Sequence, residues 1–176
     1  MPPSALQGQV IPKMQDCGKC SLCCKLIEVP GLASAGEWCP HCDPGNPVGG
    51  CTIHSKRPSF CKNFHCFWRA EDWPEWLRPD MSGVIFESLP GVETVLVSVD
   101  PSQPDSWKEP GVRKVIEILR RKCRPVILRT KSDSMMFIPD GMGKDDILRD
   151  VRQVIDWQEK QKWQHQHTQQ TLAHSI

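Results

Sequence analysis

The second half of this chain carries a regular pattern of apolar and polar positions that predicts strands and helices. Residues 84–86 and 94–99 are short runs rich in β-branched residues, and they flank a turn signal at Leu89-Pro90-Gly91, so they predict a β-hairpin. Apolar residues between 112 and 119 then recur at i, i+3, i+4 and i+7, which places them on one face of a helix. That helix should end before Pro125, because the residue that precedes a proline avoids the helical region.

A second predicted hairpin and a second predicted helix follow along the chain. Residues 126–128 and 135–138 are short apolar runs on either side of a polar turn at 131–133. Apolar positions between 147 and 155 form a final amphipathic stretch, and the acidic residues just before it suit the positive end of a helix. The predicted order is therefore β-β-α-β-β-α, followed beyond residue 163 by a polar tail.

Residues 17–80 show no long stretch of either helical or alternating apolar periodicity. Such a segment needs crosslinks to offset its chain entropy, as small irregular domains generally do. We therefore predict an α+β protein in which an irregular, cysteine-rich, metal-binding N-terminal segment packs on a small β-β-α-β-β-α unit. The predicted parts are an N-terminal extension (1–16), a cysteine-cluster metal-binding segment (17–80), the α+β unit (81–163) and the polar tail (164–176).

Apart from its cysteines, the chain has an ordinary globular composition. Its 176 residues suit one domain, and 22 Lys and Arg against 21 Asp and Glu leave a net charge of +1. That balance argues against a basic nucleic-acid-binding tail, and no stretch reaches the roughly 18 apolar residues of a membrane span. We expect neither nucleic acid nor a membrane as a partner.

The N-terminal residues bear on the compartment. Residues 1–16 contain three prolines and lack a basic region followed by an apolar run, so they do not look like a secretory signal. We therefore predict a cytoplasmic protein. In a reducing cytoplasm a dense cysteine array is expected to hold metal rather than to form disulfides.

Nine of the ten cysteines fall between positions 17 and 66, far more than an even spread would place there. We predict that these nine are metal ligands: Cys17, Cys20, Cys23, Cys24, Cys39, Cys42, Cys51, Cys61 and Cys66. The tenth, Cys123, lies at the predicted end of a helix among basic residues, and we expect it to have no role in metal binding.

The spacing of these cysteines allows two groupings. In the first, Cys17, Cys20 and Cys23 hold three corners of a four-iron cluster and a distant cysteine completes it, as in ferredoxin loops. In the second, Cys17-x2-Cys20 and Cys39-x2-Cys42 form a four-cysteine zinc site. Spacing alone leaves both groupings open, so the expected cofactor is an iron-sulfur cluster or Zn²⁺.

A wider pattern surrounds the cysteines. Residues 50–61, which read GCTIHSKRPSFC, follow the Cys-x2-Cys-x2-Cys-Cys motif at 17–24. Together they resemble the CxxCxxCC family of zinc- or iron-chelating proteins, also known as YkgJ-like cysteine-cluster proteins. The resemblance spans about 17–66, and residues 76–80 are similar to bacterial members as well. The chain departs from the family at His54, where an aromatic residue is usual.

The resemblance implies metal chelation but no agreed reaction. If an iron-sulfur cluster is bound, electron transfer or redox sensing with a redox partner is the expected function. If zinc is bound, a closed four-ligand site is structural, and the protein is expected to act as a protein-interaction module. We favour the first function and keep the second as the alternative. Between positions 17 and 66 only Glu28, Glu37 and Asp43 carry carboxylates, so we assign no catalytic residue.

Overall fold

The computed structural model describes residues 15–64, 66–89 and 91–156. The predicted polar tail, and the predicted extension apart from residues 15 and 16, lie outside this range. In residues 15–64 and 66–82 the chain consists of short helical turns joined by loops. The helical turns are α1 (Cys23–Leu26), α2 (Ser59–Asn63), α3 (Phe67–Ala70) and α4 (Pro79–Ser82), and 3₁₀ turns lie at His54–Lys56 and Glu75–Leu77.

The second part of the chain contains a four-stranded sheet, which makes the fold a mixed α and β one. The strands are β1 (Val84–Ser88), β2 (Val95–Val99), β3 (Val126–Arg129) and β4 (Ser134–Phe137), in the spatial order β1-β2-β3-β4. Antiparallel pairing of β1 with β2 and of β3 with β4 confirms both predicted hairpins. Pro90, in the first predicted turn, lies outside the described residues.

The middle strands β2 and β3 pair in parallel, with Val95 opposite Val126. Parallel strands need a crossover connection, and helix α5 (Pro110–Arg121) lies in that connection, after a 3₁₀ turn at Ser106–Lys108. The helix begins with proline at its first position and ends just before Cys123, which has a left-handed φ of 57°. The predicted helix and its end before Pro125 are both confirmed.

A last helix, α6, covers residues 144–156 of the described chain. Ile147 and Val154 on it are buried, whereas Ile155 is largely exposed, as a one-sided apolar pattern predicts. The predicted order β-β-α-β-β-α is therefore present. No helix in the described residues combines the length and the apolar character that a bilayer crossing requires.

The main core lies between one face of the sheet and α5. Alternate residues of β1 and β2 point into it, together with the buried face of α5. The same core also includes Phe67, Trp68 and Leu77, which come from the cysteine-rich part of the chain. The core therefore extends across the predicted boundary at residue 80.

The opposite face of the sheet contacts the first cysteine loop. Ile85 of β1 packs with Leu22 and Leu26, and Cys20, Cys23, Phe64 and Cys66 lie against this small cluster. Between α1 and the end of β2, Lys25 Nζ contacts Asp100 Oδ1 at 2.6 Å. These contacts place the cysteine-bearing loops beside the edge strand β1.

Candidate metal centre

All ten cysteines are free thiols. Cys39 is buried, Cys123 is exposed at the end of α5, and the other eight are partly buried. The nine cysteines predicted as ligands therefore share a partly enclosed setting that the tenth lacks.

The two Cys-x2-Cys segments fold into similar tight turns. The backbone N–H of Cys20 donates to the carbonyl of Cys17 at 2.9 Å, and that of Cys42 donates to Cys39 at the same distance. A further bond of 2.8 Å, from the N–H of Cys39 to the carbonyl of Cys24, joins the second turn to α1, which follows the first turn. Cysteines that lie at least 15 residues apart in sequence are thus held by direct backbone contact.

A narrow hairpin extends the second turn and adds another cysteine. Cys42 and Cys51 pair as an antiparallel bridge, and the N–H of Asp43 donates to the carbonyl of Gly50 at 2.7 Å. A Cβ atom on Gly50 would lie 2.6 Å from the Asp43 carbonyl oxygen, 3.0 Å from the Cys42 sulfur and 3.0 Å from the Ser21 Cβ. Glycine is therefore required where this hairpin packs on the first cysteine loop.

Five thiols act on Cys24 or on one another, and together with Cys24 we name them the Cys24 group: Cys23, Cys24, Cys39, Cys42, Cys51 and Cys61. The hydrogen bond with the thiol of Cys23, together with burial, raises the pKa of Cys24 far above its usual range, whereas the hydrogen bond with Cys42 acts in the opposite direction. Burial and the neighbouring Cys24 raise the pKa of Cys42 to about 12. Burial also raises the pKa of Cys61, and the charges of Cys24, Cys51 and Cys39 add to this.

The remaining three thiols, Cys17, Cys20 and Cys66, form a second set, the Cys17 group. Burial raises the pKa of Cys20 to about 12, although the backbone N–H groups of Leu22 and Asp80 oppose the rise. Burial likewise raises the pKa of Cys66, and here the N–H groups of Arg69 and Trp68 oppose the rise. The charge of Cys17 adds to the rise in pKa at both Cys20 and Cys66.

Three of these N–H groups belong to the first turns of two helices. Cys66 immediately precedes α3, and its carbonyl accepts the N–H groups of Arg69 and Ala70 at 3.1 Å, while its side chain makes no capping hydrogen bond. Asp80 lies at the second position of α4, and its N–H acts on Cys20. At Cys20 and Cys66 burial outweighs the N–H groups, so the neutral thiol is favoured.

The positive charge of Arg57 acts on thiols of both groups. Burial raises the pKa of Cys17, and the Arg57 guanidinium opposes this rise as it opposes the rises at Cys24 and Cys61. Its Nη1 bonds the Nε2 of His54, so the residue at which the chain departs from the family pattern contacts this arginine. Within the described residues, the buried side-chain nitrogen and oxygen atoms without a hydrogen-bond partner are Arg57 Nε and Trp68 Nε1.

Both groupings that spacing allows stay predictions. Cys20 and Cys23 share the contact with Leu22, Leu26 and Ile85, and Cys39 contacts Cys24 through the backbone. Sequence reasoning missed the contact of Cys66 with the sheet, which depends on its backbone bridge to Glu87 in β1.

In the part of the chain that the structure describes, no three or more His, Cys, Asp or Glu side chains form a group that could hold a metal ion. Ligation by either group would thus involve rotation of thiol side chains, each of which has a single χ angle with three staggered positions. Comparison with known proteins finds no family model, curated protein or solved structure that matches the chain. The resemblance to the CxxCxxCC family stays a prediction.

Proposed function

We propose that this protein binds metal through its clustered thiolates, most favourably as an iron-sulfur cluster used in electron transfer or redox sensing. The observation that carries the proposal is that backbone contacts bring cysteines of separate segments together: the N–H of Cys39 donates to the carbonyl of Cys24 at 2.8 Å, and Cys42 pairs with Cys51. In this proposal the irregular cysteine-rich segment is a metal-binding layer packed against β1 of the sheet.

The chemistry of the donor set fits such a group. Thiolates are the ligands of iron-sulfur clusters and of structural zinc. A bound metal removes the thiol proton, and its charge offsets the burial that raises the pKa of Cys20, Cys42 and Cys61. Arg57 supplies a further positive charge and a buried Nε–H donor that lacks an acceptor among the described protein atoms.

Two features favour iron-sulfur over zinc alone. Nine partly enclosed thiols exceed the four that a tetrahedral zinc ion uses. The backbone N–H groups that oppose the rise in pKa at Cys20 and Cys66 are of the kind that tunes the potential of a cluster. When bound, a cluster would supply reversible electron transfer, while the chain's own residues would hold it, partly exclude water and set its charge environment.

Structural zinc remains the second candidate because of one feature, the hairpin that begins at Cys39. A tight Cys-x2-Cys turn with a further cysteine beside it is a common element of zinc-binding loops, and Cys39, Cys42 and Cys51 supply such a turn and an adjacent bridge. In that case the metal would stabilise the fold, and the protein would act by binding a protein partner.

Metal analysis of anaerobically purified protein tests both candidates. Iron with acid-labile sulfide and visible absorption that bleaches on reduction is the expected result, whereas a colourless protein with stoichiometric zinc supports the alternative. Cys20→Ser and Cys61→Ser should each lose metal, and Cys123→Ser is the matched control that should retain all of it. A wild-type protein that holds neither metal would contradict the proposal.

A further inference from the structure

A short hairpin holds two of the thiols directly opposite each other. Cys42 and Cys51 pair as an antiparallel bridge, and both are free and partly buried. On the turn side of this pair, the N–H of Asp43 donates to the carbonyl of Gly50 at 2.7 Å. The backbone therefore fixes how the two cysteines face each other.

Thr52 and His41 close the open side of the hairpin. The backbone N–H and the hydroxyl of Thr52 both donate to the His41 carbonyl, each at 3.0 Å. The backbone bonds thus flank Cys42 and Cys51 without joining these two residues to each other, which makes them a non-hydrogen-bonded pair. In such a pair the Cα atoms lie about 4.5 Å apart and the side chains are close together.

This spacing suits a disulfide. Disulfide-bonded cysteines have Cα atoms roughly 4.4–6.8 Å apart, so the pair already lies within that range. Gly50, next to Cys51, leaves room for the Cys42 sulfur, since a Cβ atom there would lie only 3.0 Å from it. Each cysteine side chain turns about a single χ angle. A bond between the two sulfurs therefore requires side-chain rotation rather than a rearrangement of the backbone.

The other thiols close to Cys42 lack this arrangement. Cys39 belongs to the same Cys-x2-Cys turn, which a single backbone bond of 2.9 Å closes. Cys24 contacts Cys39 through the backbone at 2.8 Å. In the described residues, the bridge partner of Cys42 is Cys51 and neither of these two.

We propose that Cys42 and Cys51 are a redox-active pair that closes a reversible disulfide when the thiols hold no metal. The oxidant is a small-molecule disulfide such as oxidised glutathione. One protein sulfur attacks it, forms a mixed disulfide and releases one glutathione. The second protein sulfur then attacks the first, the Cys42–Cys51 bond forms, and the second glutathione leaves. The protein loses two electrons and two protons, which end in the two glutathione thiols.

The disulfide would compete with metal for the same two sulfurs. A sulfur in a disulfide is no longer available as a thiolate ligand. This competition rests on the proposed function, whereas the disulfide itself does not. Because burial raises the pKa of Cys42, its thiolate is scarce and exchange should be slow, so the test is made at equilibrium.

The test maps disulfides in the full-length protein after chelation and equilibration in glutathione buffers of increasing oxidised fraction. Free thiols are alkylated in acid, and the protein is cleaved after Lys and Arg and before Asp. Peptide 43–56 then carries Cys51 as its one cysteine, and peptide 57–62 carries Cys61. Mass spectrometry identifies the peptides that are linked.

Peptide 26–42 carries both Cys39 and Cys42, so two variants assign its link. The link to Cys51 should persist in Cys39→Ser and be absent in Cys42→Ser. Circular dichroism checks the folding of each variant. Fragmentation of the linked wild-type peptides makes the same assignment if a variant fails to fold.

Cys61 is the matched competitor for the bond with Cys51. Cys42 precedes Cys51 by nine residues and Cys61 follows it by ten, so an unfolded chain closes the two loops at nearly equal cost. In urea the two links should form to a similar extent. In native buffer the link to Cys42 should exceed the link to Cys61 several-fold.

The proposal is overturned by a native link pattern like that in urea, by loss of the link in Cys39→Ser, or by a Cys51 that stays unlinked in every buffer. Protein as purified, oxidised in parallel, measures the competition, since bound metal should shift the link to more oxidising buffers. An unshifted link contradicts the competition alone. Purified protein without any metal defeats the proposed function and leaves the disulfide standing.

Discussion

At the scale of single residues, Lys25 links the cysteine loops to the sheet. It lies next to Cys24 in α1, and its Nζ contacts Asp100 Oδ1 at 2.6 Å and Ser102 Oγ at 2.5 Å. The side chains of Lys25 and Asp100 are only 10% and 6% exposed. A charge pair buried to this degree is costly to break, because removal of one partner leaves the other uncompensated.

We expect Lys25→Met to lower the free energy of unfolding by about 3–5 kcal/mol, the usual cost of removing one partner of a buried pair. Urea denaturation measured by circular dichroism gives this value.

Lys108→Met is the matched control for this change. Lys108 pairs with Asp105 at the same distance of 2.6 Å, but the two side chains are 58% and 75% exposed. Its loss should cost at most about 1 kcal/mol, because water screens an exposed pair. Equal losses in the two variants would show that the Lys25 pair does not join the loops to the sheet.

At the scale of elements, the Cys42–Cys51 hairpin depends on close approach at Gly50. We expect Gly50→Ala to destabilise the protein by roughly 1–3 kcal/mol, since its added methyl group would force the hairpin away from Ser21 and the Cys42 sulfur. The same displacement should reduce metal content. Thermal unfolding and metal analysis of the purified variant measure both effects.

Gly45→Ala is the control within the same hairpin. A Cβ atom there would meet only Asp43 Oδ1, at an ordinary contact distance of 3.6 Å. Its stability and metal content should match those of the wild type. If Gly50→Ala behaves in the same way, the hairpin does not pack tightly on the first cysteine loop.

At the scale of the whole molecule, the core that the sheet shares with part of the cysteine-rich segment determines which residues should unfold when metal is removed. Phe67, Trp68 and Leu77 belong to the core of the sheet, so the chain from residue 66 onward should stay folded after chelation. Residues 15–64 contribute only Leu22 and Leu26 to the buried clusters formed with the sheet, and metal binding should supply much of their stability.

We therefore expect chelation under reducing conditions to speed tryptic cleavage after the exposed Lys19 and Lys56 several-fold. Cleavage after Arg113, exposed on α5, is the internal control and should not change. Mass spectrometry of the fragments over time measures both rates. Faster cleavage at all three positions would mean that the metal stabilises the whole molecule as one unit, and unchanged cleavage would mean that it stabilises neither part.

The sequence by itself determined the local features of this protein. The two hairpins, helix α5 with its end before Pro125, and helix α6 follow from apolar periodicity and turn residues, because each depends on neighbours a few positions away. The choice of nine candidate ligands out of ten cysteines was also local, since it rests on spacing along the chain, and their roles in metal binding remain predictions.

Only the tertiary structure decided how these segments combine. The parallel pairing of β2 with β3, the entry of Phe67 and Trp68 into the main core, and the bridge of Cys66 to Glu87 all join residues far apart in sequence. Cysteine spacing cannot distinguish such arrangements, because a flexible loop brings any of several thiols to one place at nearly the same entropic cost. Packing of the cysteine loops on the sheet selects one arrangement among them.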